Sequence, residues 1–152
     1  MAVRILAVGK KHEAWVEDGI ERYELRLRKP FDASWQLIPH SAREGDAARE
    51  EESERILSRV DRDAFLVLLD ERGTNLDSLE LSSRLQGALD QGRQLVIVIG
   101  GAYGVSERVR SRADLVWSLS KLVFPHQLVR LILAEQLYRA QEIAAGRPYH
   151  HE

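Results

Sequence analysis

Three short segments of the chain lie where a ligand site is expected, and the third also combines residue types that could bind a nucleobase. They are 69–73 (LDERG), 100–104 (GGAYG) and 118–126 (SLSKLVFPH). Glycines let a ligand approach the backbone closely, and backbone polar groups between aliphatic side chains suit a flat base such as adenine. Taken alone, 100–104 is equally compatible with a structural turn. For 118–126 the alternative is a crossover packed against a sheet, and we favour the base-binding interpretation.

Three further side chains could move a proton or stack on a base. His126 follows the third segment, and Tyr149 and His150 lie near the C-terminus. Histidine exchanges protons near neutral pH, and tyrosine stacks on nucleobases. We take His150 as the first candidate for a general base, His126 as the second, and Tyr149 as the residue that stacks on the nucleobase. His126 could instead orient the following helix, and disorder is the default for a chain end.

Five apolar clusters predict the strands that position these groups: Val3–Val8, Ala33–Ile38, Ala64–Leu69, Leu95–Ile99 and Leu115–Leu119. Two of them, 65–69 and 95–99, are apolar without alternation, which is typical of parallel strands buried on both faces. Helical patterns lie between the strands, over 13–28, 46–60, 79–89, a short stretch after Ser106, and 127–145. The sequence therefore predicts a single α/β domain over 1–152, with a mainly parallel five-stranded sheet and helices on both faces. Ligands gather at the carboxyl ends of such strands, where all three segments fall.

Two of the predicted helices have unusual surfaces. The first half of 46–60 is mostly charged and is interpreted as a solvated face. The last helix carries apolar residues on more than one stripe: Leu128, Val129, Leu131, Ile132, Leu133, Leu137, Ala140, Ile143 and Ala144. Either the helix is fully buried, or one stripe packs on its own core and another on a second copy. We favour the second interpretation, which predicts a homodimer.

Composition excludes several classes of site. The chain has no cysteine, so disulfides, thiolate zinc sites and cysteine nucleophiles are absent, and we expect no metal. Arg4 interrupts the N-terminal apolar stretch, and no apolar run approaches the roughly 20 residues of a membrane helix. We therefore expect a cytoplasmic protein that does not enter a membrane. The net charge of −2 argues against RNA binding through overall charge, so any cations that bind RNA must be clustered locally.

Six blocks of the chain carry a resemblance to a known family. They are 69–73 (LDERG), 98–104 (VIGGAYG), 117–120 (WSLS), 124–130 (FPHQLVR), 135–140 (EQLYRA) and 148–150 (PYH). In this order and spacing, over essentially the whole chain, they closely resemble the RlmH family. Its members are bacterial methyltransferases of the SPOUT class, which modify N3 of a pseudouridine in large-subunit ribosomal RNA.

The resemblance implies properties that the residues alone do not establish. It implies a C-terminal trefoil knot that binds S-adenosylmethionine, and an obligate homodimer in which the partner completes the site. It also implies methylation of 23S ribosomal RNA in the assembled ribosome. The implied cofactor residues, with two glycines added from the same segment, are Leu69, Gly100, Gly101, Gly104, Leu119, Ser120, Lys121, Leu122, Val123 and Phe124. Tyr103 occupies a variable place and is expected to narrow the cleft.

Candidate RNA contacts lie on the first and last helices: Arg22, Arg26, Arg28, Lys29, Arg130 and Arg139. A merely solubilising role fits the first four equally well. Two other classes of protein compete with an enzyme. A signalling receiver would use Asp70 and Lys121, but it needs acidic magnesium ligands where this chain has Gly9-Lys10-Lys11. A non-catalytic ribosome binder that retains the fold stays open.

Overall fold

The computed structural model describes residues 3–151, which form one α/β domain. Met1, Ala2 and Glu152, which the one-domain prediction includes, lie outside the described residues. Strands and helices alternate along the chain: β1 Val3–Val8, α1 Ala14–Glu24, β2 Ala33–Ile38, α2 Gly45–Leu57, β3 Phe65–Asn75, α3 Ser78–Asp90, β4 Leu95–Ile99, α4 Glu107–Arg112, β5 Leu115–Ser118 and α5 His126–Ala144. No helix within 3–151 is both long and apolar enough to span a membrane.

All strands of the sheet are parallel, in the order β2-β1-β4-β3-β5. Alternate residues of β1 point to opposite sides, so that Ile5 packs with the core beneath α3 and α5. Its neighbour Leu6 packs with the core beneath α2 and α4. Helix α1 packs against α5 through Val16, Ile20 and Ala134. The predicted parallel sheet with helices on both faces is confirmed; the trefoil knot stays a prediction.

The third strand is longer than predicted. It does not end at Leu69 but continues to Asn75, after a bulge over 70–73. Leu69 and Thr74 both pair with Trp117 of β5. The bulge requires a glycine, because a Cβ at Gly73 would lie 2.6 Å from the Val116 carbonyl oxygen. A bulge bends the strand and redirects its side chains, here at the carboxyl edge of the sheet.

Two helices also differ from their predicted surfaces. Glu52 and Ser53 of α2 are buried, so the interpretation of its first half as a solvated face is wrong at these positions. On α5, one stripe is buried: Leu133, Ala134, Leu137 and Ala140. The apolar residues of a second set stay half-buried: Leu128, Val129, Leu131, Ile132 and Ile143. The fully buried interpretation of α5 is therefore wrong.

Candidate functional site

A cleft of about 480 Å³ opens at the carboxyl edge of β3, β4 and β5. The β3 bulge, the loop after β4 and the loop after β5 each contribute a wall, and His126 and Val129 of α5 complete it. The three segments singled out in the sequence thus meet in one place. They meet because the carboxyl ends of adjacent parallel strands lie along the same edge of the sheet.

Nearly all of the predicted cofactor residues line this cleft. Those that do so are Leu69, Gly100, Gly101, Gly104, Leu119, Ser120, Leu122, Val123 and Phe124, and Tyr103 joins them. Lys121 is exposed and does not belong to the lining. The geometry therefore does not favour a cofactor contact by Lys121.

Backbone, rather than side chains, forms the glycine wall of the cleft. A Cβ at Gly100 would lie 3.0 Å from Val105 Cγ1, and one at Gly101 would lie 2.8 Å from Glu52 Oε1. Gly104 has a φ of +75°, which favours glycine, and its amide donates to the Gly101 carbonyl at 3.0 Å. A side chain at Gly100 would occupy space between this wall and the core.

Helix α2 holds the glycine loop from below. The buried Ser53 Oγ accepts a hydrogen bond from the Ser106 amide at 2.8 Å. Glu52 Oε2 accepts from the Ser41 amide at 3.0 Å, while Oε1 lies beneath Gly101 without a hydrogen-bond partner in the described part of the chain. Sequence reasoning missed both residues. The available signal was that Glu52 shares a helical stripe with Ala48 and Ile56, which are buried.

Asp70, on the β3 bulge, is fixed by two arginines. Its carboxylate accepts from the Arg72 amide at 2.8 Å and pairs with the Arg110 guanidinium. Burial acts to raise the pKa of Asp70, but these hydrogen bonds outweigh it and the pKa is lowered. Within 3–151 no group of three or more acidic or histidine side chains could hold a metal ion. Asp70 therefore belongs to an ion pair, an environment unlike a receiver's magnesium site.

His126 is the first residue of α5 and faces the cleft. The pKa of His126 is lowered mainly by partial burial, and the charges of Arg130 and His40 lower it further. A lowered pKa keeps the imidazole neutral near pH 7, so that a ring nitrogen is available to accept a proton.

The C-terminal tail packs along α5. The Tyr149 ring meets the Tyr138 ring edge-on at 4.7 Å, with the Arg139 guanidinium 4.8 Å from its centre. Its hydroxyl donates to Glu135 Oε2 at 2.9 Å. Burial and the Glu135 carboxylate raise the pKa of Tyr149 to about 12, so the phenol stays protonated. These contacts place Tyr149 against α5.

His150 and His126 lie on different clefts. His150 lines a second cleft of about 600 Å³, which shares only Leu119 and Phe124 with the first. Arg139 Nη1 lies 2.9 Å from His150 Nδ1. A guanidinium can only donate, so in this hydrogen bond Nδ1 accepts, which corresponds to the tautomer with its proton on Nε2. Within one chain, the predicted catalytic groups are not brought together.

The predicted RNA-contacting arginines differ in accessibility. Arg22, Arg26, Arg28 and Lys29 are exposed. Arg130 is only 1% exposed, and its Nη1 donates to the Lys10 carbonyl at 2.8 Å, so a surface contact with RNA does not fit its position. Arg139 is half-buried and held by Glu135 and His150.

An all-parallel α/β fold with a glycine-walled cleft at its carboxyl edge defines a class of proteins that bind small molecules at this edge, and the comparison with known families narrows the class. Residues 1–150 match the family described as "Predicted SPOUT methyltransferase", and the chain belongs to this family. Similar relatives bear the name "Ribosomal RNA large subunit methyltransferase H". One, from Thioalkalivibrio sulfidiphilus (strain HL-EbGR7), is 43% identical over all of both chains. Another, from Geotalea daltonii, is 45% identical over 99% of this chain and 100% of the relative.

These relatives confirm the resemblance found in the sequence. Among solved structures, "a probable methylase family protein from Haemophilus influenzae Rd KW20" matches with a TM-score of 0.55 and 14% identity. The match covers 99% of this chain and 70% of that one. At this identity, the likeness supports the fold alone.

Proposed function

We propose that the protein transfers a methyl group from S-adenosylmethionine to N3 of a pseudouridine in 23S ribosomal RNA of the assembled ribosome. The observation that carries the proposal is the single cleft formed by the three separated segments. Full-length relatives named as large-subunit ribosomal RNA methyltransferases support the substrate. Because ribosomes are its target, we expect the protein in the cytoplasm.

The cleft fits a nucleoside cofactor. Its volume of about 480 Å³ lies within the usual roughly 300–1,000 Å³ range of small-molecule sites. Leu69, Leu119 and Phe124 offer apolar surface to a flat base, and the backbone of Gly100 and Gly101 offers polar groups. Methyltransferases of the SPOUT class use S-adenosylmethionine in general, and when bound it supplies an electrophilic methyl group on a sulfonium.

The chain's own residues would position the acceptor base and remove its proton. Positioning contributes up to about 7–11 kcal/mol in favourable cases, and a general base adds about 10²–10⁴-fold. The sequence favours His150 as this base. In the structure, however, Nδ1 of His150 accepts a hydrogen bond from Arg139. This supports a different assignment of the proton-accepting and proton-donating roles to the two histidines. His126, neutral beside the cleft, accepts the imide proton, and His150 donates from Nε2 to a carbonyl of the base, with Tyr149 beside it.

A homodimer would complete the site. Leu122 and Val123, beside the cleft, are 69% and 77% exposed, and the second stripe of α5 is half-buried. Apolar surface of this kind favours a second copy as its cover. The separation of His126 from His150 within one chain supports a site built from one protomer's cofactor cleft and its partner's tail.

The test combines cofactor binding with methyl transfer. Titration calorimetry measures S-adenosylmethionine binding, and tritiated methyl transfer is compared on intact ribosomes and free 23S RNA from a strain that lacks the modification. We expect binding and label in the intact ribosomes, with mass spectrometry placing the label on N3 of a pseudouridine. Cofactor binding without transfer to either substrate would favour a non-catalytic ribosome binder and contradict the proposal.

A further inference from the structure

Lysines and arginines are used differently in this protein. At least ten arginines form ion pairs with carboxylates of the same chain. The chain has four lysines: Lys10, Lys11, Lys29 and Lys121. None of their side chains forms an ion pair or hydrogen bond within the described residues, and all four are exposed. Lysine charge is therefore available to an external anion, whereas much of the arginine charge is neutralised internally.

Three of these lysines lie at the edge of the sheet where the cleft opens. Lys10 and Lys11 follow β1, and Lys121 lies in the loop after β5, between the cleft-lining residues Ser120 and Leu122. Strands β4 and β3 separate β1 from β5. At about 4.8 Å per strand, the two groups sit on strands roughly 14 Å apart. The two groups lie on either side of the cleft, and we call Lys10, Lys11 and Lys121 together the lysine bracket.

The loop that carries Lys10 and Lys11 is held in place by α5. The buried Arg130 donates to the Lys10 carbonyl at 2.8 Å, and Gln127 Oε1 accepts from the Glu13 amide at 2.9 Å. Gly9 has a φ of +135°, which lets the chain turn sharply as it leaves β1. The same first turns of α5 line the cleft through His126 and Val129, so the loop and the cleft share one support.

We propose that the lysine bracket binds backbone phosphates of the ribosomal RNA on both sides of the target nucleotide. The inference rests on the proposed function. Phosphate contacts fix register and orientation without reading bases, and ammonium groups serve as point charges for them. A local bracket also explains how a chain of net charge −2 engages a polyanion: the charge is concentrated at the site of reaction.

The test is the salt dependence of binding to ribosomes that lack the modification. Each phosphate contact to a single strand contributes about 0.7 to the slope of log K against log salt. We expect the double substitution Lys10→Gln/Lys11→Gln to reduce the slope by about 1.4, and the addition of Lys121→Gln to reduce it by about 2 in total. Lys10→Arg/Lys11→Arg should restore the wild-type slope, because the charge is retained.

The matched control is Arg62→Gln/Arg84→Gln, which removes the same charge from exposed side chains away from the bracket. Arg62 precedes β3 at the opposite edge of the sheet, and Arg84 lies on α3. This variant should keep the wild-type slope, and Lys10→Gln/Lys11→Gln should keep wild-type cofactor affinity by calorimetry. If wild-type protein methylates ribosomes while the lysine variants retain its slope, the bracket is refuted and the proposed function stands. If wild-type protein methylates no ribosomes, the proposed function fails, and the bracket fails with it.

Discussion

Gly100 lies between the cleft and the core, so a shift of its backbone changes the space available to a ligand. The residue lines the cleft, and a Cβ there would lie 3.0 Å from Val105 Cγ1. A side chain at this position is therefore crowded against the core, and Val105 would have to shift to admit it. Any branched substituent must displace Val105 or move the glycine wall into the cleft.

Gly100→Val should therefore weaken S-adenosylmethionine binding by about tenfold or more, because forcing a side chain into packed space costs about 1–3 kcal/mol. Titration calorimetry measures the affinity, and circular dichroism checks that the variant is folded. Gly87→Val is the matched control, since a Cβ at Gly87 on α3 would meet nothing within 4 Å. Unchanged affinity in a folded Gly100→Val protein would refute the placement of the cofactor.

His126 should leave a signature in the pH dependence of stability. Its pKa in the folded protein lies below the ordinary value of 6.5, mainly because of burial. The unfolded chain then binds the proton more readily, so stability falls as pH decreases from about 6.5 toward the folded pKa. Urea unfolding between pH 8 and 5 should show wild-type protein losing more stability than His126→Gln. Parallel curves for the two proteins would contradict the lowered pKa.

At the scale of elements, α2 supports the cofactor cleft without lining it. Glu52 lies beneath Gly101, and Ser53 binds the Ser106 amide. The Ser53 hydrogen bond holds the end of the glycine loop, and Glu52 fills the space beneath its start. Ala48 and Ile56 anchor α2 in the core, and its contribution to the site comes from the two adjacent buried polar side chains.

Ser53→Ala should destabilise the protein and weaken cofactor binding together. The substitution leaves the buried Ser106 amide without its acceptor, which costs about 1–3 kcal/mol, and loosens the end of the glycine loop. Urea unfolding and calorimetry measure the two effects. Ser58→Ala is the control, because Ser58 is exposed just after α2 and, among the described residues, its hydroxyl donates only to the Arg55 carbonyl. Wild-type cofactor affinity in Ser53→Ala would show that α2 does not position the loop.

At the scale of the whole molecule, the candidate cofactor-binding and catalytic residues are distributed over two clefts of one chain. The first has the glycine wall and His126, and the second has His150. Exposed Leu122 and Val123 lie beside the first cleft. In a two-fold dimer, the first cleft of each protomer could meet the second cleft of its partner, which would form two equivalent sites.

A mixed dimer tests whether the tail acts across the interface. Gly100→Val and His150→Ala homodimers should both be inactive, the second with cofactor binding retained. A dimer of one Gly100→Val chain and one His150→Ala chain has one intact site if tails act in the partner. It should then recover up to roughly half of the wild-type methyl transfer.

The reciprocal dimer pairs a wild-type chain with a Gly100→Val/His150→Ala chain. It should be inactive if tails act in the partner, because neither cleft then receives an intact tail. Activity in the reciprocal dimer and none in the mixed dimer would place cleft and tail in the same chain, and would refute the composite site.

The sequence by itself determined the strands, their parallel arrangement and the edge at which a ligand would bind. Val3–Val8, Ala33–Ile38 and Leu95–Ile99 match the structure at both ends. Val3–Val8 and Leu95–Ile99 do so because strands buried on both faces have nearly continuous apolar runs. Ala33–Ile38 is an edge strand, and its residues alternate between half-buried and exposed up to Leu37. The three cleft segments were equally visible in the sequence, because their glycine and aliphatic residues directly follow strand ends.

Only the tertiary structure decided which polar groups are buried and with whom they pair. Arg130 reads as a surface cation, yet its partner Lys10 lies 120 positions away along the chain, and Ser53 meets Ser106 over 53 positions. Hydrophobic periodicity indicates which face of a helix is buried, but it does not identify the partners that its polar residues meet far away in the sequence. The placement of His126 and His150 on separate clefts has the same origin, because it depends on how α5 and the tail pack against the sheet.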